Sequence, residues 1–173
     1  MGQAHAISKV NGIISFDGTV VLNSSVATAT AFDSFSNVEV AALTNTGDYA
    51  GTDGSLVTMQ GFAFDPFAGA AISPLWTFDI GLVTYSFELT SITLVDRFAG
   101  GGNYFLSVAG SGMASITGFE DAAGTWSLTT QSGTGATTLS FSSTTSVPDS
   151  GATAALLGLG LIGLGAASRR FKK

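Results

Sequence analysis

An antiparallel all-β domain, a β-sandwich or jelly roll followed by one C-terminal hydrophobic helix, is the fold class this 173-residue chain predicts. Three observations carry that expectation. Apolar and polar residues alternate with a period of two through most of the chain, which places one apolar row on one face of each strand. Clusters of Gly, Asn, Asp and Ser interrupt the alternation roughly every 8–12 residues, the spacing of turns in sandwiches and jelly rolls. The last 27 residues break the pattern with an apolar run and a basic end. Charged residues make up only 10% of the chain, so the Lys, Glu and Arg that clothe exposed helices are scarce. The organisation expected is a β domain over 1–141, a polar spacer over 142–150, a helix over 151–168 and a basic tail over 169–173.

The elements follow in order. Ile13–Phe16 and Val20–Leu22 flank Asp17-Gly18, a two-residue hairpin signal. Ala27–Phe35 alternates Ala and Thr and reads as a small-residue strand suited to an edge. Asn45-Thr46-Gly47-Asp48 and Thr52-Asp53-Gly54 read as turns. From Asp65-Pro66 to Ser73-Pro74 a loop is expected, because each proline removes a ladder hydrogen bond. Trp76, Phe78 and Ile80 form the next apolar row, then Tyr85, Phe87 and Leu89, then Ile92 and Leu94. Gly100-Gly101-Gly102-Asn103 turns the chain into Tyr104, Leu106 and Val108. Ala122-Ala123-Gly124 is a turn before Trp126 and Leu128, Ser132–Thr137 another, and Leu139 and Phe141 close the series. Ser142–Ser146 reads as the spacer. No fixed-period repeat is present, so a solenoid or propeller is not supported.

The tail reads Val147-Pro148-Asp149-Ser150-Gly151, an apolar run from Ala152 to Ala167, then Ser168-Arg169-Arg170-Phe171-Lys172-Lys173. As a helix the run rises about 24 Å, a short span for a hydrocarbon core of about 30 Å. Four of the six basic residues stand in the final five positions. A basic cluster stays cytoplasmic, which places the body across the membrane. This order of motif, apolar helix and basic end resembles the VPDSG-CTERM signal, a variant of the bacterial PEP-CTERM class. The resemblance implies that a membrane-embedded exosortase recognises the tail and cleaves near Val147–Gly151. Arg169, Arg170, Lys172 and Lys173 would orient the helix, and the body would be released to the cell surface. A second likeness lies in the body. Gly110-Ser111-Gly112-Met113 to Gly118-Phe119, with Gly124-Thr125-Trp126 to Gln131, resembles a β module common in PEP-CTERM proteins; it implies no functional residues.

The body has eleven carboxylates against two bases, Lys9 and Arg97, hence nine net negative charges. Such a surface repels phosphate backbones, so nucleic acid is not an expected partner. The chain has no cysteine, which excludes disulfides and thiolate metal sites. Met1–Val10 holds no apolar signal core, yet Ala4-His5-Ala6 fits the small-x-small pattern before a signal-peptidase site. Either the natural start lies upstream or the match is chance in an Ala-rich chain.

His5 is the single histidine and lies beside that suspected cleavage site, which leaves no Ser/His/Asp or Cys/His mechanism in the body. An enzyme is not expected. Glu88, Asp96, Glu120 and Asp121 are the carboxylates a glycosidase would need; strand alternation reads Asp79, Glu88 and Asp96 instead as outward polar positions. No cofactor is expected, with Ca²⁺ the one exception: Asp48, Asp53 and Asp65, with Asn45, offer hard oxygens in Gly-rich loops. Turn residues that cap their own backbone are the competing account. Trp76, Phe78, Tyr85, Phe87, Tyr104 and Trp126 fall on the apolar phase and read as core, whereas Tyr49 and Phe67 lie in loops where rings can stack on sugars. Gly110-Ser111-Gly112 and Gly100-Gly101-Gly102 precede no helix and are not phosphate cradles. Asn23-Ser24-Ser25 fits a glycosylation sequon only by composition. Together these readings describe an exported surface or exopolysaccharide-associated protein, with a carbohydrate- or calcium-binding adhesion module as the alternative.

Overall fold

The computed structural model describes residues 7–131 and 138–145, the last segment's residues 138–142 by backbone alone. Among them there is no helix, and none long and apolar enough to cross a membrane. The expected apolar helix over 151–168 lies outside the described residues.

The strands are β1 (Gly12–Leu22), β2 (Ala31–Val40), β3 (Thr46–Gly47), β4 (Thr58–Met59), β5 (Phe62–Ala63), β6 (Ile72–Ile80), β7 (Val83–Gly100), β8 (Asn103–Ile116), β9 (Ala122–Gln131) and β10 (Thr138–Thr145). All belong to one antiparallel sheet ordered β4-β6-β7-β8-β9-β10-β1-β2-β5, with β3 beside β1. The two ends of that path, β4 and β5, are separated by only Gln60 and Gly61. Residues 54–64 in fact form one interrupted strand between β2 and β6. Val57 N–H donates to the Val38 carbonyl (2.9 Å), Gln60 N–H to Leu75 (2.8 Å) and Phe64 N–H to Thr30 (2.9 Å). Gly61 marks the switch between partners, where a Cβ would fall against the Phe32 carbonyl oxygen at 2.7 Å. The sheet thus curls until its edges meet, a meander closed into a barrel.

This corrects the expected sandwich or jelly roll. Apart from the pairing of the first strand, β1, with the last, β10, space neighbours follow chain order, so there is no Greek-key crossover and no second sheet among the described residues. Period two marks a buried face whether that face meets another sheet or its own far side.

Several local expectations change for identifiable reasons. Asp17-Gly18 is not a hairpin turn, because β1 runs straight through it and pairs with β10 at both residues. The register to β2 shifts there, opposite Asn37, which has φ 50°. A Cβ on Gly18 would lie 3.1 Å from the Val38 Cα, so the glycine serves a bulge and a close backbone approach. β2 begins only at Ala31; before it, Asn23 Oδ1 accepts from Thr30 and Ala31 N–H (3.0 and 3.2 Å). Pro74 lies inside β6, at its register irregularity between Ile72 and Trp76. The rows at Tyr85–Leu89 and Ile92/Leu94 are one 18-residue strand, β7, carrying two register shifts. Ala122–Gly124 opens β9, and the turn falls earlier, at Thr117-Gly118. Ser142 to Thr145, positions expected as spacer, complete β10.

The barrel interior is filled. Trp76 is fully buried, edge-on to Phe16 at 5.0 Å and stacked on Phe87 at 5.9 Å. Trp126 meets Phe62 edge-on at 5.9 Å, and Phe32 packs on Phe64 at 4.7 Å. β8 lines this interior with Leu106, Val108, Gly110, Gly112, Ala114 and Ile116. Its glycines make room for rings: a Cβ on Gly110 would lie 2.9 Å from Trp126 Nε1, and one on Gly112 would strike Phe87 and the Glu88 carbonyl. Gly110 pairs with Trp126 and Gly112 with Gly124 across the strands. The Gly-x-Gly and Gly-x-Trp pattern is therefore a packing device, small residues under aromatic rings.

Candidate functional site

The meander gives the barrel two ends. One carries the β6–β7 and β8–β9 turns, the 41–53 loop, the N-terminal segment and the end of β10 at Thr145, where the chain leaves toward the tail motif. We call it the exit end. There Val10 N–H donates to the Glu120 carbonyl and Glu120 N–H to Ser8, with Lys9 Nζ 3.3 Å from Glu120 Oε1. The other, the hairpin end, carries the β1–β2 connection and the tip of the β7–β8 hairpin. Arg97 reaches across it: Nη2 donates to the Ala29 carbonyl at 2.7 Å and pairs with Asp65 at 3.2 Å, and the guanidinium lies 5.8 Å from the centre of the Phe64 ring.

The three carboxylates considered for Ca²⁺ are not gathered. Asp48 Oδ2 accepts from Asn11 N–H at 2.8 Å, and Asp53 Oδ1 accepts from the Asn45 amide at 2.7 Å. Asp65, bound to Arg97, belongs to the opposite end. Among the described residues no group of three or more His, Asp or Glu side chains is placed to hold a metal ion. The glycosidase candidates are equally dispersed. Glu88 and Asp96 lie eight residues apart on β7, about 26 Å at roughly 3.3 Å per residue, while Glu120 and Asp121 occupy the exit end.

Of the aromatic candidates, Trp76, Phe78, Phe87 and Trp126 are buried as the alternation predicts, and Tyr85 is half-buried. Tyr104 departs from it at 51% exposure, because the hairpin tip extends past the barrel. Tyr49 departs the other way. It lies in a loop, but its ring turns into the core, 6.2 Å from Tyr85, and burial pushes its phenol above its usual range. It is no stacking platform.

Phe67 alone keeps the expected setting. It is partly buried beside an open groove of about 450 Å³, lined also by Gln60, Phe62, Ala71, Ile72 and Ser73. The groove lies at the barrel's seam, where the closing strand and the first residues of β6 diverge. Only the pairing of residues 54–64 creates it, so sequence alone held no signal for it.

The residues Val147, Pro148, Asp149, Ser150 and Gly151, and the basic Arg169, Arg170, Lys172 and Lys173, lie outside the described residues, as does His5. No curated protein and no solved structure matches the chain. A family model described as the VPDSG-CTERM motif matches residues 146–171, beginning at the residue after β10 ends. The chain carries a VPDSG-CTERM sorting signal at its C-terminus.

Proposed function

We propose that this is an exported cell-surface protein whose barrel is a non-catalytic component of the surface or exopolysaccharide matrix. The tail is inserted transiently in the inner membrane and removed by an exosortase. The observation that carries this reading is the VPDSG-CTERM match over residues 146–171. Its position supports processing. β10 is paired with β9 and β1 through Thr145, so a cut within Val147–Gly151 removes none of the described strands and leaves the barrel closed. Dispersal of Glu88, Asp96 and Glu120 supports a non-catalytic body. Mass spectrometry of the surface-exposed protein tests the reading: a C-terminus within or near residues 147–151 is expected, and an intact chain to Lys173 in cells with active exosortase refutes it.

A glycan-binding module is the second reading, favoured by the seam groove with Phe67 on its wall and Gln60 at its edge. Titration with oligosaccharides of the surrounding matrix decides it. Binding weakened at least tenfold by Phe67→Ala supports a glycan site, and absence of binding to the intact protein removes it. The calcium form of this reading would draw on Asp48 and Asp53 at one end and Asp65 at the other; a Tm unchanged by Ca²⁺ removes it.

A further inference from the structure

The exit end leaves large apolar side chains wholly or partly exposed. Leu82, in the β6–β7 turn, is 97% exposed, and Leu43, in the 41–53 loop, is 96% exposed. Phe119, in the β8–β9 turn, is exposed to 37%, and Ile7 to 65%. Leucine is an unusual choice at such tips, where turn chemistry favours Gly, Asn and Asp. Leu43 also holds φ 66°, a left-handed conformation that glycine or asparagine adopts with less strain. Asp53 keeps it there, accepting from both Leu43 N–H and the Asn45 amide. A strained backbone that presents a bare leucine to solvent indicates that the side chain itself has a use.

These tips stand on different connections around the rim, not along one side. Points spaced round a ring fit a flat surface across the barrel axis better than a peptide or a second barrel lying alongside. The chain supplies such a surface. Thr145 leaves the barrel at this end, and six residues separate it from Ala152, where the apolar run begins. Fully extended, six residues reach about 20 Å. With the tail inserted, the exit end is therefore tethered within that distance of the bilayer.

We propose that, before processing, Leu43, Leu82 and Phe119 dip into the lipid headgroup layer and stand the barrel upright on the membrane, holding Val147–Gly151 at the bilayer surface and the β7–β8 hairpin away from it. This rests on the reading of the tail as a membrane span. Carboxylates share this end: Asp48, Asp53, Asp79 and Asp121, besides the Lys9–Glu120 pair. Anionic lipid therefore opposes the contact, and zwitterionic lipid favours it.

The chain has no cysteine, so single-site probes are straightforward. Full-length protein with Leu82→Cys or, at the opposite end, Tyr104→Cys is labelled with an environment-sensitive fluorophore and reconstituted in phosphatidylcholine vesicles holding shallow nitroxide lipids. Flotation with the vesicles reads insertion of the tail. Expected quenching is at least threefold greater at position 82 than at 104, and it falls when phosphatidylglycerol is added. A further variant, Leu43→Asn and Leu82→Asn with the probe at Asp121→Cys, separates native contact from insertion by the dye. It should lose most of the quenching seen with the Asp121→Cys probe in the otherwise native chain. Protein that floats with equal quenching at 82 and 104 overturns the contact while leaving the tail reading intact. Protein that does not float overturns both. Quenching that appears only when exosortase is co-reconstituted assigns the tips to that enzyme and overturns the lipid contact.

Discussion

Gly112→Ala adds one methyl group where β8 has no room for it. The new Cβ would strike the Glu88 carbonyl and the edge of the Phe87 ring, while the backbone at Gly112 is not in the left-handed region. Alanine is therefore conformationally acceptable, and the outcome depends on packing. Restricting the unfolded chain favours the variant by about 0.4–1 kcal/mol. Overpacking opposes it by about 1–3 kcal/mol, toward the upper part of that range because a carbonyl on a neighbouring strand cannot rotate aside. A net loss of about 2 kcal/mol is expected, a fall in Tm of roughly 4–8 °C for a domain of this size. Gly100→Ala is the control. Its Cβ would meet only Phe105 Cε2, at 3.8 Å, and its stability should stay within about 0.5 kcal/mol of the parent. Urea and thermal unfolding of the chain truncated after Ser146, followed by circular dichroism and by Trp76 and Trp126 fluorescence, measures both. A Gly112→Ala protein melting within 1–2 °C of the parent, on the order of the control's range, would refute the packing of Phe87 over the β8 glycines.

The same unfolding assay reads four other substitutions. Trp126→Ala should cost about 3–5 kcal/mol as a buried ring against Phe62; a loss below about 1 kcal/mol would return the ring to the surface. Arg97→Ala should cost more than Asp65→Asn, because the exposed ion pair is worth at most about 1 kcal/mol whereas Arg97 also bonds the Ala29 carbonyl and covers Phe64. Equal losses would mean the ion pair dominates. Tyr49 is held neutral by burial, its pKa raised above the unfolded value of 10.0. Its contribution is thus present below pH 10 and is lost as pH climbs from there toward the folded pKa. Tyr49→Phe should remove one proton's worth of that alkaline slope, about 1.4 kcal/mol per pH unit. An unchanged slope would refute the burial of the phenol.

The alternation of Trp76/Phe78, Tyr85/Phe87 and Trp126/Leu128 was enough to name the strands and their inward rows, since side-chain direction along a strand depends on the local backbone alone. The tail was legible for a similar reason: a sorting signal is a linear order of motif, apolar run and charge, and needs no partner in space. The closure of the barrel was not legible, because it depends on residues 54–64 pairing with β2 and β6 at once, and Gly61 reads locally like any turn glycine. Asp17-Gly18 and Ala122–Gly124 misled for the converse reason. Their turn chemistry is local, but pairing with a neighbouring strand overrides it. The fates of Tyr49 and Tyr104 likewise turn on what stands opposite them. A loop tyrosine is buried when the barrel end lies beneath it, and an in-phase tyrosine is exposed when its hairpin outruns the barrel. Burial at the ends of a closed sheet is set by where the neighbouring strands stop, and only the tertiary structure contains that length.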